Sequence, residues 1–360
     1  MVKAPFDVRE EEFPRQGPLV DQHAFLLRYA ILAPSTHNTQ PWRFAVTEDG
    51  VRIYADYGRR LPVVDPGNRE LLMSIGAAVF NLRVAASHFG FACTVHYNLS
   101  GDSERPLASV SLSPGFSSSP TDPALESLFP CIVKRHTNRN PFLLSRIPAS
   151  VLDAFNGLAV HQQPSLVLSI DGGLNQRVGE LVAAAERTLF ADPTARKDLA
   201  EWVRPNWTDR KDGMTGAALG INGFAAAIAP WATRTIDLGR IRAAADRNLC
   251  IEAPALIVVQ SEDATDHWLE SGELLEKLLL TITREGLHCS YFNMPIQVTT
   301  FRPELRSLLG LDAWPQLLLR VGYCLADAVM TPRRPVEEVM VDPAMPPLQT
   351  FKQHHDQVLR

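Results

Sequence analysis

Ala33-Pro34-Ser35-Thr36-His37-Asn38-Thr39-Gln40-Pro41-Trp42 and, well downstream, Arg135-His136-Thr137-Asn138-Arg139 are the two stretches on which the reading of this chain turns. The first is a loop closed by prolines. Pro34 stops a helical pattern over residues 22–32, with Phe25, Leu26, Tyr29 and Ile31 available for one side, and Arg43 to Val46 begins a strand pattern. Between them lie hydroxyls and amides able to donate to a ligand's polar edge. Taken alone, the loop also reads as a helix-to-strand connection with Asn and Ser as turn residues. The second stretch, followed by Asn140-Pro141-Phe142, sets two guanidinium groups on either side of a hydroxyl. Arginine's planar fork matches phosphate oxygens in two-point contact. Taken alone, this is also a solvated basic turn before a helix.

Working outward, Val51 to Ala55 pairs with Arg43 to Val46 across Glu48-Asp49-Gly50, where Asp-Gly favours a tight hairpin. Ser74 to Phe89 reads as a helix and Ala108 to Leu112 as a strand. Ser113 to Pro123, rich in Ser, Pro and Gly, reads as a linker between halves. Beyond it come a helix opened by Pro148, a longer one around Arg177 to Phe190, an irregular region from Trp202 to Trp231 and a strand Ala255 to Val259. A helix Gly272 to Arg284 and a strand Leu317 to Gly322 close the second half. Two positions repeat with a constant offset: Gly76 leads through a helix to Gly90-Phe91-Ala92-Cys93, and Gly272 to Gly286-Leu287-His288-Cys289. Both 272 − 76 and 289 − 93 give 196. Chance can supply two such glycine pairs; taken together with the two motifs lying in different halves, the match reads as a duplication followed by divergence. The halves are placed at residues 1–125 and 126–360.

Composition narrows the function. With 360 residues, 46% of them hydrophobic, the chain can bury a core large enough for two domains. A charged fraction of 21% and a net charge of −5 give no basic surface for nucleic acid. Charges run through Met1 to Arg15 with no apolar stretch of signal length, so a cytoplasmic location is expected. Gly213 to Thr233 is uncharged and about as long as a bilayer span, but its glycines, Asn222 and Pro230 point to a Gly/Ala-rich cover over an internal surface. No membrane partner is expected. Cys93, Cys131, Cys250, Cys289 and Cys324 never form a Cys-x-x-Cys pair and read as reduced thiols. The sequence holds no Gly-x-Ser-x-Gly elbow, dinucleotide fingerprint, Walker loop or His-Glu-x-x-His. Its ten histidines are dispersed, and the His354-His355 pair reads as surface, so no metal site is expected.

The loop from Ala33 to Trp42 resembles the Pro-Ser-Ser-x-Asn-x-Gln-Pro-Trp loop of the nitroreductase family, with Thr36 in place of Ser. Arg135 to Arg139 resembles that family's Arg-x-Ser-x-Arg/Lys segment, with Thr137 keeping the hydroxyl. Thr331-Pro332-Arg333-Arg334-Pro335 is similar to its C-terminal Arg/Lys-Pro phosphate clamp. The resemblance runs from about Asp21 to Met340. It implies an α+β nitroreductase-like fold, built as two fused halves forming a pseudo-dimer. Each motif occurs in one half only, so one composite site and one FMN per chain are implied. Pro34, Ser35, Thr36 and Asn38 would meet the flavin, with Gln40 and Trp42 shaping the loop. Arg135 and Thr137 would hold phosphate and ribityl chain beside His136. Arg139 would reach the N1–C2=O edge, and Asn293 would lie near N5. Arg333 and Arg334 would complete the clamp. No side chain need act as catalytic acid or base.

The pattern resembles the Acg-like branch, in which a lid is folded over the flavin. Here the lid would run over about 200–233, through Trp202-Val203-Arg204, Asp212-Gly213 and Ala218-Leu219-Gly220. Two functions are implied. One is NAD(P)H-dependent hydride transfer through the flavin to a small-molecule nitro, quinone or similar acceptor. The other is a closed protein that sequesters or senses FMN. A fused pair already supplies the interface that separate subunits gain by pairing, so a monomer or weak dimer is expected.

Overall fold

Residues 6–99, 105–115, 123–159, 163–221 and 223–344 are described by a computed structural model. The proposed linker is described only at its ends, and Asn222, His354 and His355 lie outside the described residues. The first part of the chain gives helix α1 (Leu19–Ala30), strands β1 (Trp42–Thr47) and β2 (Gly50–Ala55), helix α2 (Arg69–His88), and strands β3 (Phe91–Tyr97) and β4 (Ala108–Pro114). All four strands pair antiparallel in the order β1-β2-β4-β3. After the short helix α3 (Pro123–Glu126) and α4 (Ala149–Asn156) comes strand β5 (Ser165–Ser169). An excursion follows: α5 (Gly172–Ala191), α6 (Pro193–Ala200), the two-residue strands β6 (Val203–Arg204) and β7 (Met214–Thr215), α7 (Gly223–Thr235) and α8 (Gly239–Ile251). The chain then resumes with β8 (Ala255–Ser261), α9 (Thr265–Arg284), β9 (His288–Tyr291), α10 (Met294–Gln297), α11 (Arg302–Leu308), β10 (Trp314–Gly322) and α12 (Val336–Val339). The second sheet is antiparallel in the order β5-β8-β10-β9.

The two sheets therefore share one plan: two strands, a long helix, then two strands, the last pair folding back onto the first. They differ at one connection. A turn at Glu48 and Asp49 joins β1 to β2, whereas residues 170–254 lie between β5 and β8. Between the sheets, α2 and α9 cross with their backbones nearly touching. A Cβ at Gly76 would collide with the carbonyl oxygen of Leu269, and one at Gly272 with that of Met73. The contact is reciprocal under the offset read from the sequence, because 269 − 73 also equals 196. Both helices end alike: Phe89 N–H bonds Ala85 C=O and Glu285 N–H bonds Thr281 C=O, each at 3.0 Å. Gly90 (φ +82°) and Gly286 (φ +69°) then take the left-handed turn that glycine adopts freely.

Several boundaries differ from the sequence reading, each where packing extends a pattern. Helix α2 starts at Arg69 rather than Ser74 and α9 at Thr265 rather than Gly272. Helices α6 and α8 are absent from the sequence reading. The region expected to be irregular contains α7, which carries Pro230 inside it. Its alanines favour helix, and that outweighs the glycine and proline signals. Among the described residues, α2 alone is long and apolar enough to cross a bilayer, and it is buried in the core. Cys131, Cys250 and Cys289 are buried, Cys93 and Cys324 partly so, and all five are free.

Because backbone cannot yield as a side chain can, Gly76→Ala and Gly272→Ala should each lower the unfolding free energy by roughly 1–3 kcal/mol or more. Gly67, where an added Cβ would meet nothing within 4 Å, gives the control. Its alanine variant should stay within about 0.5 kcal/mol of wild type in urea denaturation.

Candidate functional site

The loop after α1 forms a tight turn over Thr36–Asn38 in which His37 (φ 53°) and Asn38 (φ 56°), and then Gln40 (φ 52°), take left-handed backbone conformations. Such residues cost roughly 1–3 kcal/mol each and persist only where the surroundings hold them. Here hydrogen bonds do so. Gln40 N–H donates to Ser35 Oγ at 2.9 Å, and Thr36 Oγ1 donates to Glu70 Oε2 at 2.7 Å. Asn38 Nδ2 donates to the carbonyls of Gly213 (2.9 Å) and Pro332 (2.8 Å), while its Oδ1 accepts from Arg333 at 2.9 Å. Gln40 spans Lys211 C=O and Arg334 N–H at 2.8 and 2.7 Å. The loop thus ties together the excursion and the C-terminal segment.

The Arg135 segment lies alongside β9, with Thr137 bridged to Cys289 and Asn138 N–H donating to Cys289 C=O at 2.9 Å. This aligns Arg135, His136, Thr137 and Arg139 along one wall of a cavity of about 420 Å3. Pro34, Ser35, Thr36, Asn38, Asn293 and Arg333 also line it. Gln40 and Arg334 do not. Gln40 is buried as a brace behind the loop, and Arg334 turns to Glu338 C=O at 2.8 Å. Asn38, expected to face a ligand edge, has its amide taken up by the protein's own carbonyls.

Electrostatically the cavity has two positive poles. At one, Arg135 and Arg333 share the carbonyl of Leu32, at 3.1 and 3.2 Å. Arg135 also lies 3.5 Å from Glu276, whose carboxyl is pushed up to about 7 by burial against the pull of Arg135. Arg333 has no ion-paired carboxylate among the described residues, and burial together with Arg135 pushes it down to about 9. Its Nε and the Tyr291 hydroxyl are buried without a hydrogen-bond partner among the described residues. At the other pole Arg139 donates to Ala218 C=O at 3.1 Å, and Arg242 pairs with Glu186 at 2.8 Å. Burial and the neighbouring Arg242 hold Arg139 below its ordinary value. The histidines register the same field. Burial, with Arg135 and Arg333, pushes His136 down to about 3; burial, with Arg139 and Arg242, pushes His37 down to about 4. Buried cations without matching anions favour an anionic ligand.

Apolar side chains close the rest of the cavity, among them Leu189, Phe190, Val203, Met214, Ile228 and Ala229 of the excursion. That cover is pinned at three consecutive residues. Lys211 is held by Gln40, Asp212 by Arg59 at 2.7 Å, and Gly213 by Asn38. Asp212 also pairs with Arg204 and Arg210, at 2.9 and 3.1 Å.

Sequence reasoning misses Glu70, Glu186 and Arg242 at the cavity. Each is a single charge on a helix, and nothing in its neighbours marks it. Glu70 in the first turn of α2 is indistinguishable from an ordinary helix-start acid. Among the described residues no group of three His, Cys, Asp or Glu side chains could hold a metal ion.

No family model matches the chain. It is 26% identical over 322 residues to "Putative NAD(P)H nitroreductase Rv3131" of Mycobacterium tuberculosis strain H37Rv, covering 88% of this chain and 90% of the relative. To "Putative NAD(P)H nitroreductase acg" of the same strain it is 26% identical over 330 residues, covering 87% and 93%. Among solved structures it is similar to the FMN-dependent nitroreductase NfnB from Mycobacterium smegmatis in complex with NADPH, at 19% identity and a TM-score of 0.38, over 60% of this chain and 96% of that one. Over nearly its whole length the chain is thus similar to putative NAD(P)H nitroreductases, Acg among them.

The site's electrostatics set a pH dependence. The folded-state values of His136 and His37 lie below that of an unfolded histidine, about 6.5, so the unfolded chain binds more protons as pH falls. The stability these neutral histidines contribute is present above about pH 6.5 and lost on acidification toward pH 4. Relative to His136→Gln, the wild type should lose stability between pH 6.5 and 4.5 at up to about 1.4 kcal/mol per pH unit. Urea denaturation across that range checks it; parallel curves would contradict it.

Proposed function

We propose that this chain is an FMN-binding oxidoreductase, taking electrons from NAD(P)H and passing them to a nitro compound, quinone or similar small acceptor. One observation carries the reading: the loop at Pro34–Asn38, the segment at Arg135–Arg139 and the residues around Arg333 converge on one cavity whose arginines lack a full complement of carboxylates. The unpartnered Arg333 Nε and Tyr291 hydroxyl, and an apolar cover, fit a phosphate-bearing aromatic cofactor. When bound, FMN supplies hydride acceptance and donation at N5.

The chain's own residues do the rest. Arg135 and Arg333 would hold the phosphate, with His136 beside them kept neutral at pH 7. Thr137 offers its hydroxyl to the ribityl chain. Arg139, lacking an ion-paired carboxylate among the described residues, supplies positive charge where the ring gathers negative charge on reduction. Cover residues such as Met214 and Ile228 exclude water. The matching plans of the two sheets and the reciprocal glycine contact support reading the chain as two fused halves, with about 1–125 and 126–360 as their extents. The motifs divided between those halves then make one FMN per chain. A monomer or weak dimer follows from the same fusion.

A second reading has its own support. The cover is pinned at Lys211, Asp212 and Gly213 by the first half, which favours a closed protein that sequesters or senses FMN.

Anaerobic titration of the flavin-loaded protein with NADPH and NADH separates the two. Prompt bleaching by either nucleotide supports the oxidoreductase. Reduction by dithionite alone supports the closed protein, and failure to take up FMN at all overturns both. Arg135→Gln and Arg333→Gln should each weaken FMN binding by roughly tenfold or more, as loss of a charge-assisted phosphate contact requires.

A further inference from the structure

Phe224, Ile228 and Trp231 follow one another at the four- and three-residue spacing that sets them on one face of α7, and they are 80%, 42% and 59% exposed. The helix is inverted relative to an ordinary surface helix, which turns polar residues outward. Its inward face is small, with Ala226 and Ala229 buried. Ile228 belongs to both settings, since it also lines the cavity.

What lies on either side of this face says what covers it. Residues 213–233 carry no charge. Before them Arg210 and Lys211 are exposed, and after them Arg234 and Arg240; Asp209 and Asp237 are the exposed acids in the same stretch. The local excess is basic in a chain whose net charge is −5. A second copy seated on α7 would set this basic excess against its own, like against like. An anionic lipid surface meets both flanks with opposite charge. Phe and Trp on the apolar face, with Arg234 in the last turn and further basic residues flanking the helix in sequence, are features of a helix lying in a membrane interface. At 13 residues, or about 20 Å, α7 is too short to span a hydrocarbon core of ~30 Å.

We infer that the outward face of α7 docks on an anionic lipid surface, with Phe224, Ile228 and Trp231 entering the headgroup boundary and the flanking Arg and Lys side chains facing the headgroups. The sequence expectation of no membrane partner rests on the lack of a spanning segment, and a helix lying flat needs none. The inference is independent of what the cavity binds.

Flotation of the full chain with vesicles tests it. The wild type should float with vesicles of phosphatidylcholine and phosphatidylglycerol in equal parts, and far less with phosphatidylcholine alone or at high salt. Phe224→Ser/Trp231→Ser should weaken binding to the anionic vesicles by about tenfold or more, with an unchanged circular dichroism spectrum. Arg234→Gln/Arg240→Gln should weaken it and reduce its salt dependence. Failure of the wild type to float with anionic vesicles, or flotation indifferent to the Phe224/Trp231 changes, overturns the inference. So does a wild-type dimer that those two changes convert to monomer, which would make a second copy the occupant.

Discussion

The crossing of α2 and α9 is the constraint on which the rest of the structure depends. Two glycines let the helices approach until each backbone meets the other's carbonyl. No side chain could fill that contact, so the relative placement of the two sheets is set by backbone geometry. That placement in turn brings the loop after α1, in the first part of the chain, to the Arg135 segment beside β9. Without the close crossing, the cavity between them would have no defined shape.

Within that frame, Asn38 does more than the sequence implies. Its side chain links the cover, through Gly213, to the C-terminal segment, through Pro332 and Arg333. A residue in left-handed backbone conformation is thereby fixed by three partners, from regions far apart in sequence. Strain in the loop and closure of the cover are thus coupled: releasing Gly213 would remove two of the bonds that hold Asn38, one to its side chain and one to its carbonyl. The cavity is positive at both ends, and its histidines are held neutral by desolvation together with the same arginines that favour an anion.

Much of this is legible in the sequence, for physical reasons. The loop from Pro34 to Trp42 is legible because a short turn must supply its own stops and donors. The offset of 196 residues is legible because only glycine permits the helix crossing and the left-handed turns at Gly90 and Gly286. What escapes is tertiary. Helix α7 is hidden because Gly223 and Pro230 signal irregularity, while its alanine run and the inward packing of Ala226 and Ala229 favour helix. Glu70, Glu186 and Arg242 escape because a lone charge on a helix carries no mark of what it will face. Gln40 and Arg334 are near the site in sequence, yet one braces the loop from behind and the other turns to the α12 helix.

The central claim is that the divided motifs build one asymmetric cofactor site. The most direct measurement is the ratio of FMN to protein in the purified full chain, from its absorbance spectrum after saturation with FMN and removal of the excess. The account predicts a ratio near one. A ratio near two would mean that each half builds its own site, and a colourless protein would mean that the cavity between the sheets holds something else.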